Sequence, residues 1–308
     1  MSKKHPAYSS FSPPLASWCD AGIFVEYQGQ AIFCIDLGTP DADPDETLLL
    51  FHGFPESSFS YHGVLEGLKK RFRRILMLDF LGFGLSDKPR DRSYSLMEQA
   101  DIALHVWSTR GVKGGHLLAH DMGDSVATEL CARLVRDTLP DDFDGFQSVT
   151  FTNGNMVMQK AKLRVLQVLL RKPFFGPVLS RLSSFRIFRQ QVRSASGGTT
   201  LSDKDIALMW ELNLLMGGKQ LSHKLIRYLD EREKHQDTRW LPALGELAVP
   251  IHIAWGAEDA VAPLDVARHL KDVVCPQAKF TAMTGVGHFC QQEDPQVWLE
   301  TTLAFWAR

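Results

Sequence analysis

An aspartate follows a short apolar run and precedes a stretch that favours a helix. Residues 117–119 are apolar, His120 and Asp121 come next, and Gly123 leads into the helix-forming residues 126–136. This order predicts a strand, a sharp turn and a helix, in which the turn exposes one side chain at the carboxyl end of the strand. A carboxylate in that position can attack an alkyl carbon and form an ester, which water then cleaves. Asp121 is therefore the candidate nucleophile.

Asp121 also has a structural alternative. Aspartate is favoured at the N-cap of a helix, where its carboxylate accepts backbone N–H groups and complements the helix dipole. Asp124 fits that role better because it lies closer to the body of the predicted helix. We therefore expect Asp121 to act as a nucleophile rather than as a cap.

Two later strand-like runs lead into polar residues of the kind that assist a nucleophile. Residues 250–255 precede Glu258 and Asp259, and residues 279–283 precede a glycine-rich loop that holds His288. A histidine that is oriented by a carboxylate can act as a general base. We predict that Asp259 orients His288. Glu258 is the competing acid, and Asp259 could instead cap the helix that follows it.

A histidine-glycine pair follows another apolar run, residues 48–51. The segment that begins at His52 can direct a backbone N–H towards the site, because it leaves the carboxyl end of a predicted strand. We interpret His52 and His120 as structural residues that brace this loop and the turn at Asp121.

The elements that must position these residues alternate along the first part of the chain. Strands that alternate with helices predict a mostly parallel sheet that is covered on both faces. The predicted strands are 23–27 and 31–37, which form a hairpin, then 48–51, 75–80, 117–119, 149–151, 250–255 and 279–283. The predicted helices of this part are 96–106, 126–136 and 295–306.

The middle of the chain has a different pattern. Residues 156–244 contain no convincing strand signal, and four helices are predicted there, over 157–171, 176–193, 202–216 and 221–234. A helical block between two strands of one sheet predicts a cap over the strand ends, where it bounds an apolar pocket. We predict a core of residues 1–154 and 246–308 and a cap of residues 155–245. Trp210 is expected to support the pocket, and the many basic residues of the cap are interpreted as a solvated helical face.

Composition sets limits on the function. The 308 residues include 44% hydrophobic and 23% charged residues, which is typical of a globular enzyme. The formal net charge of −2 gives no electrostatic reason to expect nucleic acid or an anionic membrane as a partner. Five scattered cysteines lack the spacing of a metal site, and no long apolar segment is present. We expect a cytoplasmic monomer or homodimer that binds no metal.

Taken together, these motifs resemble the α/β-hydrolase superfamily, in the branch that contains epoxide hydrolases and haloalkane dehalogenases. The resemblance extends over nearly the whole chain from about residue 20, and it rests on residues 52–55, 79–89, 120–123, 256–259 and 287–288. The order of nucleophile, acid and histidine along the chain is also the order in that fold. The resemblance implies a small apolar substrate, water as the second reactant, and no metal or organic cofactor.

The resemblance also implies roles for individual residues. The backbone N–H groups of Phe54 and Met122 would form the oxyanion hole, and His288 would deprotonate the water that cleaves the ester on Asp121. Epoxide hydrolases place two tyrosines in the cap to protonate the departing oxygen. Tyr228 is the single tyrosine in the predicted cap, and its surroundings resemble those of one of that pair.

Three functions remain open on this basis. Haloalkane dehalogenases place a tryptophan directly after the nucleophile, whereas this chain has Met122, and Phe54 stands where their second halide donor can be asparagine. A non-catalytic binding or scaffolding protein is the third interpretation, but binding alone does not require a triad. We predict a hydrolase that opens apolar epoxides.

Overall fold

The computed structural model describes residues 5–154, 156–198 and 201–307. Residue 155, the first residue of the predicted cap, and the chain ends 1–4 and 308 lie outside the described residues. The strands are β1 (Ile23–Tyr27), β2 (Gln30–Gly38), β3 (Thr47–Phe51), β4 (Arg74–Leu78), β5 (Gly115–His120), β6 (Phe146–Thr152), β7 (Ile251–Gly256) and β8 (Lys279–Met283). In this part of the chain they form one eight-stranded sheet, in the order β1-β2-β4-β3-β5-β6-β7-β8.

The direction of the strands confirms the predicted mostly parallel sheet. β1 and β2 form an antiparallel hairpin in which Tyr27 pairs with Gln30, and β2 is antiparallel to β4. From β4 to β8, all neighbouring strands are parallel. The carboxyl ends of these parallel strands therefore lie at one edge of the sheet, where α/β folds place their ligands.

Helices cover both faces of this sheet. Their bounds are α1 (Pro13–Ala21), α2 (Leu65–Leu68), α3 (Leu96–Thr109), α4 (Met122–Val135), α5 (Val165–Leu170), α6 (Phe175–Leu182), α7 (Phe185–Arg193), α8 (Asp203–Leu214), α9 (Ser222–Leu225), α10 (Tyr228–His235), α11 (Leu241–Glu246), α12 (Leu264–His269), α13 (Cys290–Glu293) and α14 (Pro295–Trp306). Short 3-10 turns span Tyr8–Ser10, Pro44–Glu46, Ser58–Tyr61 and Leu215–Leu221, and π-helical turns span Gln236–Trp240 and Leu270–Val274.

Two hydrophobic cores lie on opposite faces of the sheet. Leu49 and Phe51 of β3 belong to the core that α3, α4, α11 and α12 cover. Leu48 and Leu50 of the same strand belong to the core beneath α1, α2 and α14. Because successive side chains of a strand point to opposite faces, a continuous apolar run such as β3 must be buried on both sides.

One predicted helix of the cap begins too early. The pattern predicts a helix over 157–171, but α5 covers only its last part. The N–H of Met158 donates instead to the side-chain oxygen of Gln236 at 2.8 Å. The side-chain oxygen of Gln167 accepts the N–H of Arg164 at 2.9 Å and fixes the start of α5. Tertiary hydrogen bonds therefore replace the first turns of the predicted helix.

Two other predicted helices of the cap are each divided in two. The predicted helix 176–193 is interrupted between α6 and α7, where the hydroxyl of Ser184 accepts the N–H of Ile187 at 3.4 Å and caps α7. The predicted helix 221–234 is interrupted between α9 and α10. There the carbonyl oxygen of Ile226 accepts the N–H that lies three residues later, instead of four residues later as in an α-helix.

The N-terminal helix α1 precedes the first predicted element. Its two prolines occupy the first turn, where a missing N–H costs nothing. The indole of Trp18 donates to the hydroxyl of Ser58 at 3.2 Å, and the N–H of Ser12 donates to the carboxylate of Glu211 on α8 at 2.8 Å. Within the described residues, no helix has the length and apolarity needed to cross a bilayer.

Candidate active site

Asp121 occupies the sharp turn between β5 and α4. Its backbone has a φ of 46° and a ψ of −108°, which is unusual for a residue with a side chain. The turn is held by close packing: a Cβ added to Gly123 would lie 2.7 Å from the carbonyl oxygen of His52 and 2.9 Å from Cβ of Phe51. A glycine is therefore required after the turn, and the carboxylate projects from the carboxyl end of the strand.

The carboxylate of Asp121 accepts a backbone hydrogen bond from another loop. The N–H of Phe54 donates to its Oδ2 at 2.9 Å, whereas the side chain of Asp121 forms no cap hydrogen bond with α4. Asp121 itself stands at the N-cap position of α4, whereas Asp124, which fitted a capping role better from the sequence, lies inside the first turn and accepts the N–H of Thr152 at 3.4 Å. Among the described residues, the N–H of Met122 makes no hydrogen bond to the Asp121 carboxylate, so its role in an oxyanion hole stays a prediction.

Asp259 and His288 form a buried pair at the ends of β7 and β8. Nδ1 of His288 lies 2.8 Å from Oδ2 of Asp259, and both side chains are almost fully buried. Glu258 is exposed to solvent. The geometry thus joins His288 to Asp259 rather than to its competitor. The other oxygen of Asp259 accepts the N–H groups of Val261 and Ala262.

Asn153, at the end of β6, also holds this pair and was not among the predicted residues. Its Nδ2 donates to Oδ2 of Asp259 at 2.8 Å, and its Oδ1 accepts the N–H of Gly256 at 3.0 Å. Its backbone has a positive φ of 55°, which asparagine tolerates better than most residues. The position of an asparagine directly after an apolar strand was the signal available in the sequence.

The surroundings of His288 favour its charged form. Burial lowers the pKa of His288, but the carboxylates of Asp259, Asp121 and Glu56 together raise that pKa to about 9. The hydrogen bond from Nδ1 to Asp259 fixes the ring and leaves Nε2 available for the cavity that His288 lines.

A cavity of about 190 Å³ lies between the core and the cap. The residues that line it include Asp121, His288, Tyr228 and Trp210. Most of the other lining side chains are apolar, and many of these come from α5, α6 and α7. Tyr228 is 3% exposed. Its burial and, to a smaller extent, the negative charge of Asp121 raise the pKa of its hydroxyl. Among the described residues, no hydrogen bond satisfies this hydroxyl. Trp210 packs on Phe188, with ring centroids 5.1 Å apart.

A match to a protein-family model shows the family to which the chain belongs. The model described as "alpha/beta hydrolase fold" matches residues 46–295. The chain is a member of the α/β-hydrolase fold family. This confirms the resemblance and the fold class that the motifs predict.

Two relatives of this α/β-hydrolase cover nearly its whole length. A Mycobacterium tuberculosis protein named "Putative hydrolase LipZ" is 37% identical over 294 residues, which cover 95% of this chain and 98% of that protein. The mesoderm-specific transcript protein of Mus musculus is 33% identical over 306 residues, which cover 96% of this chain and 88% of that protein. Residues 51–58 and 78–89 indicate the likeness to the mesoderm-specific transcript protein, and the overall identity confirms it.

Solved structures share the fold at lower identity. The haloalkane dehalogenase DbeA-M1 loop variant from Bradyrhizobium elkanii has a TM-score of 0.74 at 20% identity, and the match covers 92% of this α/β-hydrolase and 95% of that chain. The epoxide hydrolase CorEH has a TM-score of 0.71 at 19% identity, and the match covers 92% and 98%. These similarities establish the architecture alone.

The two predicted structural histidines lie beside the nucleophile turn. Burial lowers the pKa of His52, whose Nε2 accepts the N–H of Phe80 at 3.0 Å. Nδ1 of His120 is 3.0 Å from the carbonyl oxygen of Thr152, and its Nε2 is 3.1 Å from Oε2 of Glu56. These contacts hold the first loop and the turn against the neighbouring strand ends.

The loop that carries His288 is bonded to the cap. The N–H of His288 donates to the carbonyl oxygen of Ala195 at 3.2 Å, and the N–H of Gly198 donates to the carbonyl oxygen of Gly285 at 3.1 Å. The carboxylate of Glu293 accepts backbone N–H groups from both segments at 2.8 Å. The candidate base is therefore held by the cap as well as by the core.

Arg232 of α10 is the second residue that the sequence did not reveal. It is fully buried, and its Nη2 donates to the main-chain oxygen of Asp121 at 2.7 Å and lies 3.8 Å from Oδ1 of that residue. Its Nε donates to the hydroxyl of Ser125 at 2.6 Å, and its guanidinium lies 4.6 Å above the ring of Tyr228. A cation of the cap thus contacts both the candidate nucleophile and the candidate acid.

The described residues contain no group of three His, Cys, Asp or Glu side chains that could hold a metal ion.

Proposed function

We propose that this α/β-hydrolase opens apolar epoxides to diols through an ester on Asp121. The observation that carries the proposal is the environment of the Asp121 carboxylate. Its Oδ2 accepts the Phe54 N–H, while within the described residues Oδ1 accepts no hydrogen bond and belongs to a side chain that lines the cavity. One oxygen is thus held as the future carbonyl oxygen, and the other is free to attack.

In the first step, Oδ1 of Asp121 attacks an epoxide carbon and forms the ester bond. The carbon–oxygen bond of the epoxide breaks, and its electron pair goes to the epoxide oxygen. That oxygen needs a proton, because an alkoxide is a poor leaving group. The hydroxyl of Tyr228 lines the same cavity and supplies the proton, which leaves a tyrosinate next to the guanidinium of Arg232.

In the second step, His288 removes a proton from water, and the resulting hydroxide attacks the carbonyl carbon of the ester. The developing oxyanion is stabilised by the N–H of Phe54, with Met122 as the second donor. Collapse releases the diol alkoxide, which takes the proton of the new carboxyl group. The proton on His288 returns to Tyr228, so that one epoxide and one water give one diol.

The pKa of His288 suits this order of events. Before the ester forms, a pKa of about 9 favours the protonated ring at neutral pH. Ester formation removes the charge of Asp121, which is one of the charges that raise this pKa. The pKa therefore falls when the ester forms, so the ring releases its proton to solvent and can then accept one from water. It takes up a proton from solvent again when the charge of Asp121 returns.

Haloalkane dehalogenation is the weaker alternative. A departing halide needs N–H donors and no proton, whereas Met122 next to the nucleophile contributes a buried thioether to the core. The indole of Trp210 is the remaining candidate donor in the cavity. Measuring bromide release from a 1-bromoalkane beside diol formation from an apolar epoxide distinguishes the two functions.

Isotope labelling tests the covalent step. The protein, in excess over an epoxide substrate, completes one turnover in heavy-oxygen water and is then digested for mass spectrometry. We expect the label in the carboxylate of Asp121, because water attacks the carbonyl carbon. Label in the diol alone would overturn the proposal, and Asp121→Asn is the matched control that forms no ester. If bromide release from the 1-bromoalkane is faster than epoxide opening, haloalkane dehalogenation becomes the better supported function. If the protein consumes neither the epoxide nor the 1-bromoalkane, a binding protein or a hydrolase of another bond is favoured.

A further inference from the structure

Large apolar side chains are exposed on one part of the cap. Phe174, at the start of α6, is 87% exposed, and Leu182 is 68% exposed. Elsewhere in the described residues, only Leu214 and Val273 are comparable. We call the following seven residues of α5, α6, α7 and the turn before α6 the cap patch: Val165, Val168, Phe174, Phe175, Val178, Leu182 and Ile187. An exposed cluster of this kind marks an interaction surface.

The cap patch lies in a segment of one charge sign. Residues 155–202 contain nine lysines and arginines and no aspartate or glutamate. Some of these cations are neutralised from outside the segment, as Arg171 is by two acids of α10. Lys172, Arg181 and Arg186 are exposed and form no ion pair within the described residues. Exposed apolar side chains and unpaired basic side chains therefore occur next to one another along this segment.

The cavity of the candidate active site borders this patch. Leu182 and Ile187 are both exposed members of the cap patch, and both also line the cavity that reaches Asp121. A molecule that covers the patch therefore also contacts two residues that bound the cavity.

We propose that the cap patch docks on the surface of an anionic lipid bilayer, with Leu182 and Ile187 at the edge of the cavity facing the lipid. Amphipathic helices with aromatic residues on one face and basic residues beside them bind at the boundary between head groups and acyl chains. Anionic head groups supply the charge that the unpaired cations lack. The net charge of −2 does not reveal this surface, because the acidic residues of the chain lie outside the segment.

A second copy of this chain fits the patch less well. A symmetric dimer places the same surface on both sides of the interface, and would bring the basic side chains beside two patches together. Like charges at close range oppose such an interface, whereas they favour an anionic lipid surface. Self-association is therefore an outcome that the experiment must be able to detect.

Flotation of the full-length protein with lipid vesicles tests the proposal. Vesicles of phosphatidylcholine are compared with vesicles that also contain phosphatidylglycerol, at low and high salt. We expect binding to the anionic vesicles to be stronger by about tenfold or more and to weaken as salt rises. The double variant Phe174→Ser/Phe175→Ser should lose binding to both kinds of vesicle, and Arg181→Gln/Arg186→Gln should lose the preference for anionic lipid.

Matched variants away from the patch are the controls. Val273→Ser removes an apolar side chain that is 64% exposed, and Lys70→Gln/Lys113→Gln removes two exposed charges. Both should bind anionic vesicles as the unaltered protein does. Thermal unfolding of every variant should be unchanged, because all the substituted side chains are exposed.

Three results would overturn the proposal. They are equal binding to neutral and anionic vesicles, unchanged binding by the Phe174→Ser/Phe175→Ser variant, and absence of binding to either. A concentration-dependent dimer that this variant abolishes would show that a second copy covers the patch instead. Because binding is measured without turnover, none of these results bears on the chemistry of Asp121.

Discussion

Arg232 of the cap donates a 2.7 Å hydrogen bond to the main-chain oxygen of Asp121. The proposed nucleophile and the cap are thus joined through the backbone of the turn between β5 and α4. Since the same guanidinium also bonds Ser125, a lysine could not reproduce both contacts with its single ammonium.

We predict that Arg232→Met lowers kcat by about 10- to 100-fold, because small displacements of reacting groups are costly. Arg232→Lys should fall in the same range. Rapid-quench measurement of ester formation would check both. Arg227→Met, which removes an exposed arginine next to α10, is the control and should keep the original rate. An unchanged rate in Arg232→Met would remove this residue from the positioning of Asp121.

Replacement of His288 should separate the two half-reactions. Only ester hydrolysis needs a base, so His288→Gln should still alkylate and then accumulate the adduct on Asp121. Mass spectrometry of the intact protein should show a stable gain equal to the mass of the substrate. Turnover at the original rate would exclude His288 as the base.

The raised pKa of His288 also predicts how stability depends on pH. The pKa is about 9 in the folded protein against an ordinary value of 6.5 for histidine, so the folded state holds the proton more tightly. The stabilisation is fully present below pH 6.5 and is lost as the pH rises through about 9. The excess unfolding free energy of the unaltered protein over His288→Gln should therefore shrink between these values, as denaturant titrations can measure. An excess that grows with pH would contradict the prediction.

Tyr228→Phe should affect the alkylation step. The described part of the cap offers no second tyrosine, so we expect a loss on the order of 100-fold in ester formation, a typical contribution of general acid catalysis. The control is Tyr27→Phe on β1, which does not line the cavity. Ester formation at the original rate would mean that another donor protonates the epoxide oxygen.

Gly123→Ala should destabilise the fold through the nucleophile turn. The new Cβ would meet the backbone oxygen of His52 at 2.7 Å, and backbone cannot yield as a flexible side chain can. We expect a loss of about 1–3 kcal/mol in unfolding free energy. Gly63→Ala is the control, because its Cβ would have its nearest neighbour at 3.9 Å. Equal unfolding midpoints for the two variants would show that the turn can relax.

The strands and the candidate triad could be predicted from sequence because they depend on local signals. Most of the parallel strands contain a short apolar run, and Asp121, Asp259 and His288 each follow a predicted strand. Since the strands are parallel, residues that follow them converge at one edge without further information. The parallel sheet thus brings residues that are far apart along the chain together in one candidate site.

Arg232 and the interrupted cap helices depend instead on partners that are distant along the chain. An arginine in a helical segment rich in charged residues is usually exposed, and nothing local indicates that this one is buried against Asp121. The late start of α5 depends on Gln236, about 80 positions beyond Met158, whose N–H it accepts. Such contacts exist only once the cap has packed on the core.

The two main-chain hydrogen bonds between Ala195–Gly198 and the His288 loop restrict how the cavity can open. If the whole cap moved away as one rigid body, these hydrogen bonds would break and His288 would separate from Asp259. Each buried polar group left without a partner would cost about 1–3 kcal/mol of free energy. We therefore expect any movement that admits a ligand to involve the outer helices α5 and α6, so hydrogen exchange should be slower at the amides of His288 and Gly198 than at those of these two helices. The cap then consists of an outer part that can move and an inner part that is fixed to the core.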